Sequence, residues 1–161
     1  MAIQFTSKLN FILCLSSTLM LLSFSHSQAE SQSLKYCEKN ADYAVQVSNV
    51  EILPNPVVRG EPFTFKIAAY TDEPIHSGDL IYEISYAGIE QSAVFHHSLS
   101  EETPLPVRPG QFLLTHTELL PPVTPPGTYN VKLTFNNQNG EQLTCIVFPF
   151  TIGAKSSVSA I

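Results

Sequence analysis

The stretch YNVKLTFNNQNGEQLTCIVFPFTI, residues 129–152, decides the fold. Tyr129, Val131, Leu133 and Phe135 alternate with Asn130, Lys132 and Thr134. That period of two puts one face inward and one to water, as a half-buried antiparallel strand requires. Asn136–Gly140 supplies hairpin-loop chemistry, and Gln142–Ile152 returns as a second apolar strand.

The same pattern extends towards the N-terminus. Phe63, Phe65, Ile67 and Ala69 alternate with Thr64, Lys66 and Ala68, and Leu80, Tyr82, Ile84 and Tyr86 with Ile81, Glu83 and Ser85. Further strand-like runs cover Tyr43–Ile52, Gln91–His97 and Gln111–Leu119. Pro54-Asn55-Pro56, Arg59-Gly60, Ser77-Gly78, Ala87-Gly88, Pro109-Gly110 and Pro125-Pro126-Gly127 punctuate them. No helical period is sustained. Seven or eight short strands with Pro/Gly turns predict an all-β chain folded as a sandwich or barrel.

Residues 1–29 read as a secretory signal peptide. Lys8 precedes the apolar run Phe11–Phe24, and Ser27 and Ala29 sit at the −3 and −1 positions of a cleavage site. The mature domain is expected over residues 30–152, with a flexible tail at 153–161. Of three cysteines, Cys14 leaves with the leader. Cys37 and Cys145 remain, an even pair in an exported chain, which favours a disulfide tying the first element to the last. Closing a loop of about 100 residues is worth up to roughly 4–5 kcal/mol in the chain-entropy account. A location in the secretory pathway, extracellular or in a vacuolar lumen, follows from the leader.

Removing Lys8 from eight basic residues leaves seven against fourteen acids, a net charge of −7. The charges are scattered. A mildly acidic chain without a basic stripe is not built for nucleic acid, nor for anionic membranes through a polybasic patch.

Catalytic signatures are thin. His96 and His97 are adjacent in a strand, so their side chains point to opposite faces. His97 and His116 can meet across neighbouring strands, but spacing suggests no third ligand, and no metal or other cofactor is expected. Glu101-Glu102, in a Pro-rich loop, reads as a solvated turn. No G-x-S-x-G, H-E-x-x-H, P-loop or EF-hand pattern occurs. The chain is expected not to be an enzyme.

Between Tyr36 and Ile152 the chain resembles a plant member of the ML (lipid-recognition) family, which includes Niemann–Pick-type sterol carriers and phosphatidylglycerol/phosphatidylinositol transfer proteins. The resemblance rests on YCEKNADYAVQVSNVEILPNPVVRGEPFTF (36–65), GDLIYEISYAGIE (78–90), EETPLPVRPGQF (101–112), LPPVTPPGTYNVKLTF (120–135) and GEQLTCIVFPFTI (140–152), in that order. It implies an immunoglobulin-like β-sandwich of two antiparallel sheets with an apolar cavity between them. It also implies that Cys37–Cys145 is the family's bridge. A second cysteine pair common in the family is replaced here by Ser100 and Leu105, so the His97–Gly110 loop, placed by the resemblance near the cavity mouth, lacks a covalent clip.

The implied function is non-catalytic binding and transfer of a sterol or phospholipid, by a monomer that touches membranes transiently. Strand parity nominates Phe65, Ile67, Leu80, Tyr82, Ile84, Phe95, Phe112, Leu114, Val131, Leu133, Phe135 and Val147 as the cavity wall. The open end is expected near Ala87-Gly88, the 98–110 loop and Pro121–Gly127. The rival reading is a secreted β-sandwich with a filled core that binds protein partners through its loops or edges.

Overall fold

The computed structural model describes residues 33–86, 89 and 92–153. The leader and residues 154–161 lie outside the described residues. Among the described residues nine strands form in chain order: β1 (Lys35–Tyr36), β2 (Val45–Leu53), β3 (Val57–Val58), β4 (Pro62–Thr71), β5 (Gly78–Tyr86), β6 (Ser92–Ser98), β7 (Gly110–Leu119), β8 (Gly127–Asn137) and β9 (Gln142–Gly153). A single helical turn, α1 (Leu99–Glu102), joins β6 to β7. The seven long strands are those the alternating and strand-like runs predict. The two-residue strands β1 and β3 are too short to leave a period. Gly153, expected to begin the tail, is the last residue of β9 and pairs with Val58.

One sheet has the order β1-β9-β8-β5-β6, with β3 also on β9; the other is β2-β4-β7. Pairing is antiparallel except for β3 on β9, which is parallel. The long strands bury alternate residues: β4 turns Phe63, Phe65, Ile67 and Ala69 inward, and β8 turns Tyr129, Val131, Leu133 and Phe135 inward. Aromatic rings knit the sheets together. Phe63 stacks on Phe150 at 6.1 Å between centroids, and Phe65 meets Phe148 edge-on at 5.6 Å. Such pairs contribute about 0.5–1.5 kcal/mol beyond the area they bury.

Val147 does not join this inner face. It stands opposite Lys132, a solvent-facing residue of β8, while Ile146 and Phe148 stand opposite the buried Leu133 and Val131. The cause is a bulge: Asn136 pairs with Gln142 but Phe135 pairs with Thr144, so Leu143 is an extra residue. Counting outward from the hairpin without it puts Val147 on the wrong face, because a one-residue slip inverts every later side chain.

The segment after β6 also differs from expectation. Residues 99–109 are tied down without a disulfide. Leu99 is fully buried, Leu105 packs against the core, and Ile75 and Val107 exchange backbone hydrogen bonds of 3.0 and 2.9 Å. Glu101 is exposed as a solvated turn requires, but Glu102 is only 5% exposed. The helical turn separates them: Leu99 and Glu102, three residues apart, share its inward face.

Cys37 and Cys145 are bonded, with Cα atoms 5.4 Å apart across a sequence separation of 108 residues. The Cys37 N–H also donates to the Cys145 carbonyl at 3.0 Å, continuing the β1–β9 ladder. The bond therefore fastens one edge of the larger sheet. Replacing both cysteines with serine is expected to lower unfolding free energy by up to about 4–5 kcal/mol, read from urea melts of variant and wild type. Equal midpoints would show that the crosslink contributes nothing.

Candidate functional site

The two sheets end in different ways at their two sides. β6 is the last strand of one sheet and β7 the last strand of the other, and the two do not hydrogen-bond to each other. Between them opens a cavity of about 200 Å³. Its lining comes from both sheets: Phe63 and Phe65 of β4, Tyr82 and Ile84 of β5, Phe95 of β6, His116, Glu118 and Leu119 of β7, and Leu120 and Pro121 beyond it. Apolar cavities of about 150 Å³ stay dry and accept a small hydrophobic molecule.

Of the wall expected from parity, Phe65, Tyr82, Ile84 and Phe95 line this cavity. Ile67, Leu80, Leu114, Val131, Leu133 and Phe135 are buried in the packed core, and Phe112 packs against it half-buried. Those residues face inward but lie where the sheets are in contact. Parity reveals which way a side chain points; it does not reveal where two sheets touch and where they part. Phe63, His116, Glu118, Leu119 and Leu120 join the lining from outside the expected wall. Their signal was weak: Glu118 and His116 continue the inward parity of Leu114, but polar residues on an inner face read as a strand fraying into solvent.

Leu119, Leu120 and Pro121 line the cavity, and Pro121 begins the Pro121–Gly127 stretch expected at its open end. Ala87 and Gly88 lie outside the described residues. The 98–110 loop is at the other end of β6 and β7, where Leu99 and Glu102 are buried. It packs against the core there, and none of its residues is among the cavity lining.

Polar groups meet at the cavity floor. The Tyr82 hydroxyl donates to Glu102 Oε2 at 2.6 Å. Glu102 Oε1 lies 3.3 Å from His116 Nδ1, yet the approach is not aligned as a hydrogen bond, so this oxygen is buried without a partner. The His116 ring stacks on Tyr82 at 4.9 Å and meets His97 at 4.3 Å. His97 and His116 do come together, as expected, though across the gap between the sheets and not on paired strands. His96 points away and is exposed, as is His76. Burial pushes the Tyr82 phenol well above its ordinary pKa, reinforced by the Glu102 charge and by the hydrogen bond to it.

The fold and cavity define an immunoglobulin-like β-sandwich with an apolar pocket held between its sheets. The chain belongs to the ML domain family, whose profile matches residues 31–152. It is similar to phosphatidylglycerol/phosphatidylinositol transfer proteins of Aspergillus oryzae, 27% identical over 118 residues, 70% of this chain and 67% of the relative. The corresponding protein of Schizosaccharomyces pombe is 28% identical over 145 residues, 81% of this chain and 73% of the relative. Among solved structures, a Niemann–Pick type C2 protein from the Japanese carpenter ant superposes with a TM-score of 0.58 at 14% identity, covering 74% of this chain and 98% of that one. At that identity the match speaks for the fold.

A tyrosine whose pKa is raised by folding contributes stability in full below its unfolded value, about 10, and loses it as pH rises from there towards the folded value. The Tyr82→Phe variant is therefore expected to unfold more easily at neutral pH, by about 1–3 kcal/mol, because Glu102 Oε2 is left unpaired. Its deficit relative to wild type should shrink above pH 10. Urea melts between pH 7 and 11 test this; a deficit that stays constant would show that Tyr82 ionises freely.

Proposed function

We propose that this protein is a non-catalytic carrier that takes the hydrocarbon part of a phospholipid or sterol into the cavity between its sheets and releases it at a membrane. The observation that carries this reading is the apolar cavity opening between β6 and β7, at an edge where no backbone hydrogen bond has to break for the sheets to part. Burial of each methylene contributes about 0.8 kcal/mol, so even a short acyl segment rewards insertion. A cavity of about 200 Å³ is smaller than the roughly 300–1,000 Å³ of pockets that enclose drug-sized ligands. Loading therefore widens the gap between the two edge strands. The transfer proteins that the chain resembles are named for phosphatidylglycerol and phosphatidylinositol, which favours a phospholipid over a sterol.

The rim suits transient membrane contact by a monomer. Phe95 is 44% exposed and Leu119 57%, and Val123, two residues beyond Pro121 of the lining, is 86% exposed. Apolar residues at the mouth offer a departing lipid a continuous path from bilayer to cavity. The Cys37–Cys145 bond suits an oxidising compartment. With the leader reading of residues 1–29, it supports a location in the secretory pathway, extracellular or vacuolar.

The test is extraction of lipid from vesicles. Wild-type protein incubated with phosphatidylcholine vesicles containing labelled phosphatidylinositol, phosphatidylglycerol or a sterol should remove label in proportion to protein. Ile84→Glu and Phe95→Glu should each reduce uptake at least tenfold while keeping a wild-type circular dichroism spectrum. Phe95 is partly exposed, so its variant keeps the fold even if Ile84→Glu does not. Uptake of sterol alone would reassign the ligand. A folded wild-type protein that takes up none of the three would leave a protein-interaction module as the better reading.

A further inference from the structure

We propose that His97, His116 and Glu118 form a site for one divalent cation of the zinc class, clasping the two sheets at the edge where their backbones do not pair. One potential ligand atom from each residue lies within 4.8 Å of the other two. A tetrahedral zinc ion at 2.0–2.2 Å from nitrogen and oxygen places neighbouring ligand atoms about 3.4 Å apart. Side-chain rotation closes that difference, chiefly of the half-exposed Glu118. Two imidazoles and one carboxylate suit zinc better than calcium or magnesium, which favour oxygen.

The surroundings are already arranged for ligation. Glu102 Oε1 lies 3.3 Å from Nδ1 of His116, and Glu101 Oε2 lies 3.3 Å from Nδ1 of His97. Each histidine thus turns one nitrogen to a carboxylate and keeps Nε2 for another partner. On His116, Nε2 is 3.7 Å from Glu118 Oε2, too far for a hydrogen bond and with room for the ligands to close around an ion. Metal-binding histidines regularly give their second nitrogen to a carboxylate, which fixes ring and tautomer.

The buried, unpartnered Glu102 Oε1 is the second observation. A buried carboxylate oxygen without a partner calls for an explanation. An ion on His116 Nε2 would hold the proton on Nδ1 and turn it to Oε1. Charge points the same way. Glu101, Glu102 and Glu118 surround two imidazoles, while the lysine ion pairs of Lys66 and Lys132 go to Glu51 and Glu83. A cation supplies the missing positive charge.

His97 stands on β6 and His116 and Glu118 on β7, so the ion would join the outermost strands of opposite sheets. It would do so at the far edge of the larger sheet from Cys37–Cys145. The site stands whether or not the cavity carries lipid.

The experiment is calorimetric titration of untagged, chelator-treated protein with zinc chloride, with native mass spectrometry for stoichiometry and thermal melts with and without zinc. The expected result is one zinc per chain and a raised melting temperature. His97→Gln and Glu118→Gln, both at partly exposed positions, should each weaken binding at least tenfold, while His96→Gln and His76→Gln leave it unchanged. In wild-type protein the imidazole NMR signals of His97 and His116 should shift on zinc addition, which needs no variant to fold. No heat and no shift at millimolar zinc, or equal weakening by His96→Gln, would overturn the site.

Discussion

The 2.6 Å hydrogen bond from Tyr82 to Glu102 organises the open side of the sandwich. Tyr82 comes from the larger sheet and lines the cavity; Glu102 comes from the helical turn that closes its far end. Their contact holds the closure against the floor and sets His116 between a ring and a carboxylate. A buried carboxylate is tolerated only where its lone pairs are used. One oxygen of Glu102 is satisfied by Tyr82, and the other lies 3.3 Å from His116 Nδ1 without a hydrogen bond. The cavity thus has an apolar wall with polar groups of Tyr82 and His116 at its floor.

Much of this architecture was legible in the residues. Strict alternation in β4, β5 and β8 announced a two-sided sheet, because antiparallel strands with one dry face must alternate. β9 was harder. Leu143, Thr144, Cys145 and Ile146 are buried in succession, so no polar residue marks the outer face, and the bulge at Leu143 shifts the register without changing composition. That shift turns Val147 from the inner face to the outer one. Its partner Lys132 was the clue, available only once the pairing is known.

The site was less legible than the fold. An inward-facing Phe65 and an inward-facing Leu133 look the same in a sequence, yet one borders a void and the other is packed. That difference arises between sheets, from residues far apart in the chain. Glu102 was hidden by its neighbour Glu101, since two acids among prolines suggest water on both. Only the three-residue spacing from the apolar Leu99 hinted that one of them turns inward.

The unpaired edges have a further consequence. β6 and β7 each present a row of backbone amides and carbonyls that no strand among the described residues engages on that side. Val94, Phe95, Leu113 and Leu119 stand exposed along the same strands. Such an edge is a template for strand pairing between copies and so for aggregation. A sandwich that keeps a door between its sheets cannot hide these edges by closing into a barrel. The acidic balance of the chain, fourteen acids against eight basic residues, opposes that self-association by mutual repulsion. Solubility in this protein is thus tied to ionic strength, because the charge that keeps its edges apart is the part of the molecule that salt screens.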